Sequence, residues 1–598
     1  MLGERRVQAV TVDGADDAAG VSPGGSRFVR ALPVLWHPLR RALTAPPGSA
    51  GRDPVVWLIA ALAFGAYFVI SLYRLLTLTP SSYDLGIFTE FVRQLAQLHA
   101  PVVDLLAPGF NLEGDHFQVA VGVLAPFFRL LPTPATLLFF QALFTAGSVF
   151  PVATAASLLT GRSAGRLIGF AYAFSWGLQQ MINFDFHEVA LAVPLLAFSV
   201  SALVRRRPGA AIAWAVPLVF VKEDQGFTVA AIGALMMATA AFPSLLPART
   251  VFPKSTVLPA NTVFPKSTVL PANTASPARS VPGDYRYVAL WGGVSLLGWG
   301  LFWSMFAITV IIPHFNPLHE YRYWGGAADG PVVGTVGGGP GSVGALLDWM
   351  STGWPIKLTT VVMLLLPTAF AALGSPVALV ALPSLGLRFI STDTSYWGTA
   401  WHYNATVMPI LFIAAAEAIG RWRRAASPGS TSGPPDPRFS PSPLGPLTGA
   451  RAFGARLRGR LRELVHPALT GAARHGGAMM AAIAVALAFQ FPLSALWHGS
   501  TYTIDAHVAA ADAAMAVVPD GATVTTTLDL LAPLAARTDT FWIGNSGNPV
   551  TQYVVFDGAD SGYSPPVTNV PAMMASWFKN DGYVQVFAQG DVYVYRRG

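Results

Sequence analysis

The chain has 598 residues, of which 53% are hydrophobic and only 12% charged, about half the charge of an ordinary soluble domain. Apolar runs such as 55–78 and 287–312 are too long for core helices and argue against a large soluble enzyme. The net charge of +7 reads as the Lys and Arg excess of cytoplasmic loops rather than as nucleic-acid binding, and the absence of cysteine excludes disulfides, thiolate metal sites and a cysteine nucleophile.

Residues 1–54 mix Gly, Ala and Pro with Arg5, Arg6, Arg27, Arg30, Arg40, Arg41 and Arg52, and are expected as a disordered cytoplasmic tail. A first span, 55–78, then exits to an external loop, 79–116, which carries Asp84, Glu90, Asp104, Glu113 and Asp115 with Arg93 as its one Lys or Arg. The stretch 117–160 is broken at Leu131-Pro132-Thr133-Pro134 and followed by Arg162 and Arg166. It counts as one net crossing whose first part, 117–130, is partial or re-entrant.

Alternation is regular from there. Residues 167–182 cross outward, 189–204 return to Arg205-Arg206-Arg207, 210–221 exit and 226–242 return. The following loop is internal and contains the segment 250–261 repeated unchanged as 262–273, a duplication too short in period for a solenoid. Residues 287–312 exit to a long external loop with a glycine run, 334–344, which lacks the lysine of a phosphate loop. Spans near 357–372, 376–390 and 403–419 complete a transmembrane core, 55–420. An Arg- and Pro-rich cytoplasmic linker, 421–476, and a final span, 477–498, follow. The sum is about eleven crossings, with the N-terminus inside and the C-terminal region outside.

Residues 499–598 change character. Helices are expected at 504–518, 528–536 and 570–578, strands at 522–527, 540–543 and 550–556, and a hairpin pairs 583–588 with 592–596. This pattern predicts a small extracytoplasmic α/β domain beside a mainly α bundle.

Four charged clusters flank the apolar runs: Tyr83-Asp84-Leu85-Gly86, Gly114-Asp115-His116-Phe117, Asp185-Phe186-His187-Glu188 and Lys222-Glu223-Asp224. The topology sends all of them, with His402-Tyr403, to the external side. Ionisable groups beside hydrocarbon are costly and mark function. Asp84 is a candidate general base, with a helix cap as the plainer alternative. Asp115-His116 precedes an apolar segment and reads the same two ways. Asp185 and Glu188, three apart, share a face if helical, and His187 adds a nitrogen ligand. Asp185 and His187 are thus candidate ligands of a divalent cation, Mg or Mn. Lys222 is suited to a lipid phosphate with Glu223 or Asp224 orienting it, or the three form a structural ion pair. His402 and Tyr403 are candidates for a phosphate or sugar hydroxyl. His314, His319, Glu320 and Arg322 in the external loop are weaker candidates.

These motifs, in this order, resemble a prokaryotic multi-pass membrane family described as a domain of unknown function. The resemblance covers about residues 83–419, with the C-terminal region appended. That family is similar to the GT-C superfamily of membrane glycosyltransferases, which use polyprenyl-phosphate sugars. The resemblance implies an acid in the first external loop near the end of the first span, which Asp84 matches. The chain departs from the GT-C pattern by lacking an adjacent acidic pair there, so Asp84 and Asp115 are alternatives for the base. The function implied is transfer of a sugar from a polyprenyl-phosphate donor to an acceptor hydroxyl at the outer face of the plasma membrane. Asp84, Asp115 and His116 are the catalytic candidates, and Lys222, Glu223, Asp224, His402 and Tyr403 the substrate and phosphate contacts. The partners implied are membrane lipid and a lipid-linked sugar donor, with no nucleic acid. The alternative is a transporter or flippase for a lipid-linked or anionic solute, against which stands the absence of a second copy of the clusters after residue 290.

Overall fold

The computed structural model describes residues 53–79, 84–246, 283–324, 351–391, 393–426, 470–559, 567, 569–579 and 581–598. The N-terminal tail, Tyr83, the duplicated segment, the glycine run and most of the 421–476 linker lie outside the described residues.

Among the described residues, five helices are long and apolar enough to cross a membrane: Pro54–Leu76, Pro134–Thr160, Tyr285–Phe315, His402–Ala426 and Thr470–Ala488. Each falls on an expected crossing. Others are shorter apolar helices, among them Val189–Val204, Pro208–Phe220, Gln225–Ala241, Trp354–Thr368 and Pro376–Ile390. Backbone chemistry accounts for the shortness. Proline removes a ladder donor, as at Pro217 and Pro367, and left-handed backbone at Ala369 (φ 49°) and Phe370 (φ 59°) ends the Trp354–Thr368 run. The His402–Ala426 helix is almost wholly buried and forms the centre of the bundle.

Two local expectations are corrected. Residues 167–182 are not one helix but the ends of two, Arg162–Ala173 and Trp176–Asn183, because Ser175 adopts extended backbone (φ −68°, ψ 143°) between them. Asp185 and Glu188 do not share a helix face. Asp185 sits in left-handed backbone (φ 69°), and helix begins only at Val189. The break at Leu131–Thr133 is present: a 3₁₀ turn, Val119–Leu124, leads into the short helix Ala125–Leu130, and the Thr133 hydroxyl caps the next helix at Ala135.

The C-terminal region forms a five-stranded sheet in the order β2-β1-β3-β5-β4. Strands β1 (Thr523–Thr526), β2 (Asp539–Trp542) and β3 (Tyr553–Asp557) run parallel; β5 (Val592–Arg597) is antiparallel to β3 and to β4 (Tyr583–Gln589). Alternating apolar residues fill both faces, and Leu78, from the end of the first long helix, is part of the core under the Ala506–Ala516 helix. Arg93 on the Asp84–Ala96 helix donates to Asp539 (2.9 Å), and the Asn545 amide donates to the carbonyls of Leu105 and Leu106. The sheet is therefore seated on the segment that carries Asp84.

Candidate functional site

Asp84 opens the Asp84–Ala96 helix as the acid of its first turn. The turn that carries Asp185 and His187 is clamped by a buried glutamine: the Gln141 side chain donates to the Asp185 carbonyl and accepts from the His187 N–H. This turn aims His187 inward, with Nε2 3.8 Å from Asp84 Oδ2 and Nδ1 2.5 Å from Glu188 Oε2. The other Glu188 oxygen meets Lys222 Nζ at 2.9 Å, and Glu188 is fully buried. His402 stacks on His187 with ring centroids 3.4 Å apart. Four segments distant in sequence thus meet in one group.

An adjoining group is built on Glu223, the residue after Lys222. Its carboxylate accepts from His116 Nδ1 (2.8 Å), the Phe117 N–H (3.1 Å) and the Tyr321 hydroxyl (3.0 Å), while the Ser304 hydroxyl donates to its carbonyl. Tyr323 stacks on His116 and donates to Asp115 Oδ1 (3.0 Å), and the exposed Arg322 stands 3.9 Å from the same carboxylate. Gly114 is needed for this approach: a Cβ there would lie 2.6 Å from the Phe315 carbonyl carbon, and the Asn316 amide donates to the Gly114 carbonyl.

The charges are mutually tuned. Burial, reinforced by the Glu188 charge and opposed by Lys222, pushes the Asp84 carboxyl up to about 7. Burial pushes His187 down to about 4, so the imidazole is neutral at physiological pH. Nδ1 faces the Glu188 carboxylate at 2.5 Å and Nε2 faces Asp84 at 3.8 Å, so the neutral ring lies between two acids. Burial disfavours charge on Lys222, but Glu188, Glu223 and Asp224 outweigh it and hold the ammonium well above the ordinary lysine range. Burial also opposes the Glu188 carboxylate, yet His187 and Lys222 hold it well below its usual range.

The remaining candidates flank these groups. Asp185 turns away from His187 and pairs with Arg74 at 3.3 Å. Asp224 accepts from the Gln225 side chain, and Tyr403 packs on Tyr396 and His402. Of the external-loop candidates, Arg322 reaches Asp115, and the His319 Nδ1–H donates to the Pro313 carbonyl. Among the described residues no three His, Asp or Glu side chains are grouped as metal ligands. With Asp185 on Arg74 and an ammonium beside Glu188, these donors do not fit a divalent cation. Tyr321 and Tyr323 gave no signal in the sequence. Glu188 was visible in its motif, but its place between His187 and Lys222 depends on the turn. An apolar groove of about 900 Å³ adjoins the site, lined by Phe91, Leu95, Phe117, Val119, Ile311 and Phe315, with the Glu113 carboxyl among them.

Residues 74–431, which hold both groups, match the family model described as predicted membrane protein, DUF2079. The chain belongs to the DUF2079 family. The family match spans more than half of the chain and stops short of the C-terminal sheet. No curated protein matches the chain. Among solved structures, it is similar to ArnT from Cupriavidus metallidurans bound to undecaprenyl phosphate. The TM-score is 0.49 at 13% identity, covering 90% of this chain and 97% of that one.

Proposed function

We propose that this DUF2079 protein is an integral membrane glycosyltransferase of GT-C type, moving a sugar from a polyprenyl-phosphate carrier to an acceptor hydroxyl at the outer face of the membrane. One observation carries the reading: Asp84, His187, Glu188, Lys222 and His402, from four segments, meet beside a second acid–imidazole group at one end of an apolar bundle. Burying such groups is costly, and membrane proteins keep them where they act on a substrate. The adjoining apolar groove supports a substrate with a hydrocarbon tail.

In this mechanism the acceptor hydroxyl gives its proton to Asp84, whose pKa near 7 suits a base at neutral pH. The acceptor oxygen bonds to the anomeric carbon as the bond from that carbon to the phosphate oxygen breaks, and the electron pair leaves on polyprenyl phosphate. His187 turns its Nε2 toward Asp84. Lys222, ion-paired with Glu188 at 2.9 Å, has N–H groups to offer the leaving phosphate, with His402 beside it. Asp115 and Glu223, braced by the two tyrosines, are placed as acceptors for sugar hydroxyls. In the same reading residues 499–598 are an extracytoplasmic cap.

The test is release of polyprenyl phosphate from a panel of polyprenyl-phosphate hexoses by purified protein in detergent. The wild type is expected to release it, and Asp84→Asn to be slower by at least about 100-fold. Wild-type turnover by Asp84→Asn removes Asp84 as base. Movement of intact donor across vesicles without cleavage replaces the reading with transport.

A further inference from the structure

The loop that presents His402 is tied down by a buried cation with no acid. Arg388 is 6% exposed. Its Nε donates to the Tyr396 carbonyl (3.0 Å), Nη1 to Asn404 Oδ1 (3.0 Å) and the Tyr403 carbonyl (3.3 Å), and Nη2 to the Gly398 carbonyl (3.1 Å). Every one of these acceptors is neutral. Among the described residues no carboxylate lies at ion-pair distance from it. Lys357, 5% exposed, repeats the pattern: its ammonium lies 4.2 Å from the centroid of the Trp397 ring, in the same loop, and pairs with no described carboxylate. The one acid of residues 393–404, Asp393, is exposed and caps the Ser395 N–H.

Two further features mark the loop. Trp401 is in left-handed backbone (φ 65°), a strained state for a bulky residue. His402 is 3% exposed, and neither ring nitrogen has a hydrogen-bond partner among the described residues. A buried cation held only by neutral groups is costly to keep charged. Two cations of one sign around one loop, with an unpartnered imidazole at its end, call for a ligand of opposite charge.

We propose that Arg388 and Lys357 form a cationic wall behind residues 393–404 and that this wall, with His402, receives a phosphate group. Arg388 is the positioning residue: its planar fork sets the loop, and its charge is balanced when the anion arrives. That the phosphate belongs to the lipid donor rests on the glycosyltransferase reading; that the ligand is an anion rests on the charges alone.

The experiment measures thermal protection of the purified full-length protein by three probes: a polyprenyl monophosphate, the corresponding polyprenol, and inorganic phosphate. The wild type is expected to bind the polyprenyl phosphate at least tenfold more tightly than the alcohol. Arg388→Gln and Lys357→Met are expected to lose most of that preference while polyprenol binding stays within twofold. Arg388→Lys restores it only in part, since an ammonium cannot make the four bonds of the fork. The Lys357 ammonium makes no described hydrogen bond, so Lys357→Met carries the test even if Arg388→Gln does not fold. Undiminished preference in Lys357→Met and in any folded Arg388 variant overturns the proposal, as does a wild type that distinguishes neither phosphate probe from the alcohol. Protection by inorganic phosphate that depends on Lys357, without protection by the polyprenyl phosphate, upholds the anion site and sinks the lipid-donor reading instead.

Discussion

Asp84 and Glu90 lie six positions apart on one short helix, and burial raises both, with different consequences. At Asp84 the raised pKa places a base where the reaction needs one. Activity is expected to rise with pH through about 7 as the carboxyl loses its proton. Glu188 contributes to that elevation, so Glu188→Gln is expected to lower turnover, by freeing Lys222 and His187, and also to move the acid limb to lower pH. A profile of kcat/KM against pH checks both; an unmoved limb removes Asp84 as the titrating group. Glu90 has no such use. Burial pushes it up to about 8, with the Leu105 N–H and Arg93 only partly opposing. Its ordinary value is 4.5, so from there to about 8 the folded chain keeps a proton that the unfolded chain releases. The stability it contributes is full below pH 4.5 and falls as pH rises, by at most about 1.4 kcal/mol per unit. Glu90→Gln is expected to flatten the fall in unfolding temperature between pH 5 and 8, and to stabilise more at pH 8 than at pH 5. Equal effects at both pH values would contradict the buried, protonated Glu90.

Between elements, the contact most open to test is the backbone crossing at Gly114. A methyl group there meets the Phe315 carbonyl carbon at 2.6 Å and the Asn316 nitrogen at 2.8 Å, both backbone atoms that cannot rotate aside. Gly114→Ala is therefore expected to cost about 1–3 kcal/mol and to lift Tyr321 and Tyr323 off Glu223 and Asp115. Turnover should drop at least tenfold, with most of the loss in KM if the tyrosines brace sugar contacts. Unchanged kinetics would separate this segment from the site. The same crossing shows what a sequence can and cannot reveal. The motif Gly-Asp-His-Phe advertised its acid and imidazole because charge beside hydrocarbon is rare, and hydropathy and turn residues alone located the long spans and the strands of the C-terminal sheet. Nothing local distinguished Tyr321 and Tyr323 from interfacial aromatics, since their role comes from a loop folding back by a contact remote in sequence. Asp185 misled for the converse reason. Its spacing to Glu188 matters only on a helix, and a left-handed turn sends it to Arg74 instead. Arg388 was hidden in an apolar run, where one guanidinium looks like a span end until its four carbonyl and amide acceptors are seen.

At the scale of the molecule, charge bias predicts the sides of the membrane, and the fold makes that expectation testable at two positions. The C-terminal sheet takes Leu78 into its core, and Asp539 holds Arg93, so the sheet and the Asp84 helix lie at the same end of the bundle. Whichever side the sheet faces, the candidate site faces too. Arginines cluster instead near the opposite terminus of the first long helix, where Arg166 makes two 2.9 Å contacts with Asp53. The chain contains no cysteine, so one introduced thiol reports without background. Asp520 has a side chain 83% exposed and makes one contact, with Arg537, which also binds the Val518 and Met515 carbonyls and does not depend on it. Asp520→Cys is expected to react with a membrane-impermeant maleimide in intact cells. Arg162→Cys, at an exposed position near Asp53, should react only after permeabilisation. The reverse pattern would put the acids, imidazoles and Lys222 on the cytosolic side, where the outer-leaflet donor chemistry proposed here could not occur, while leaving their mutual geometry untouched.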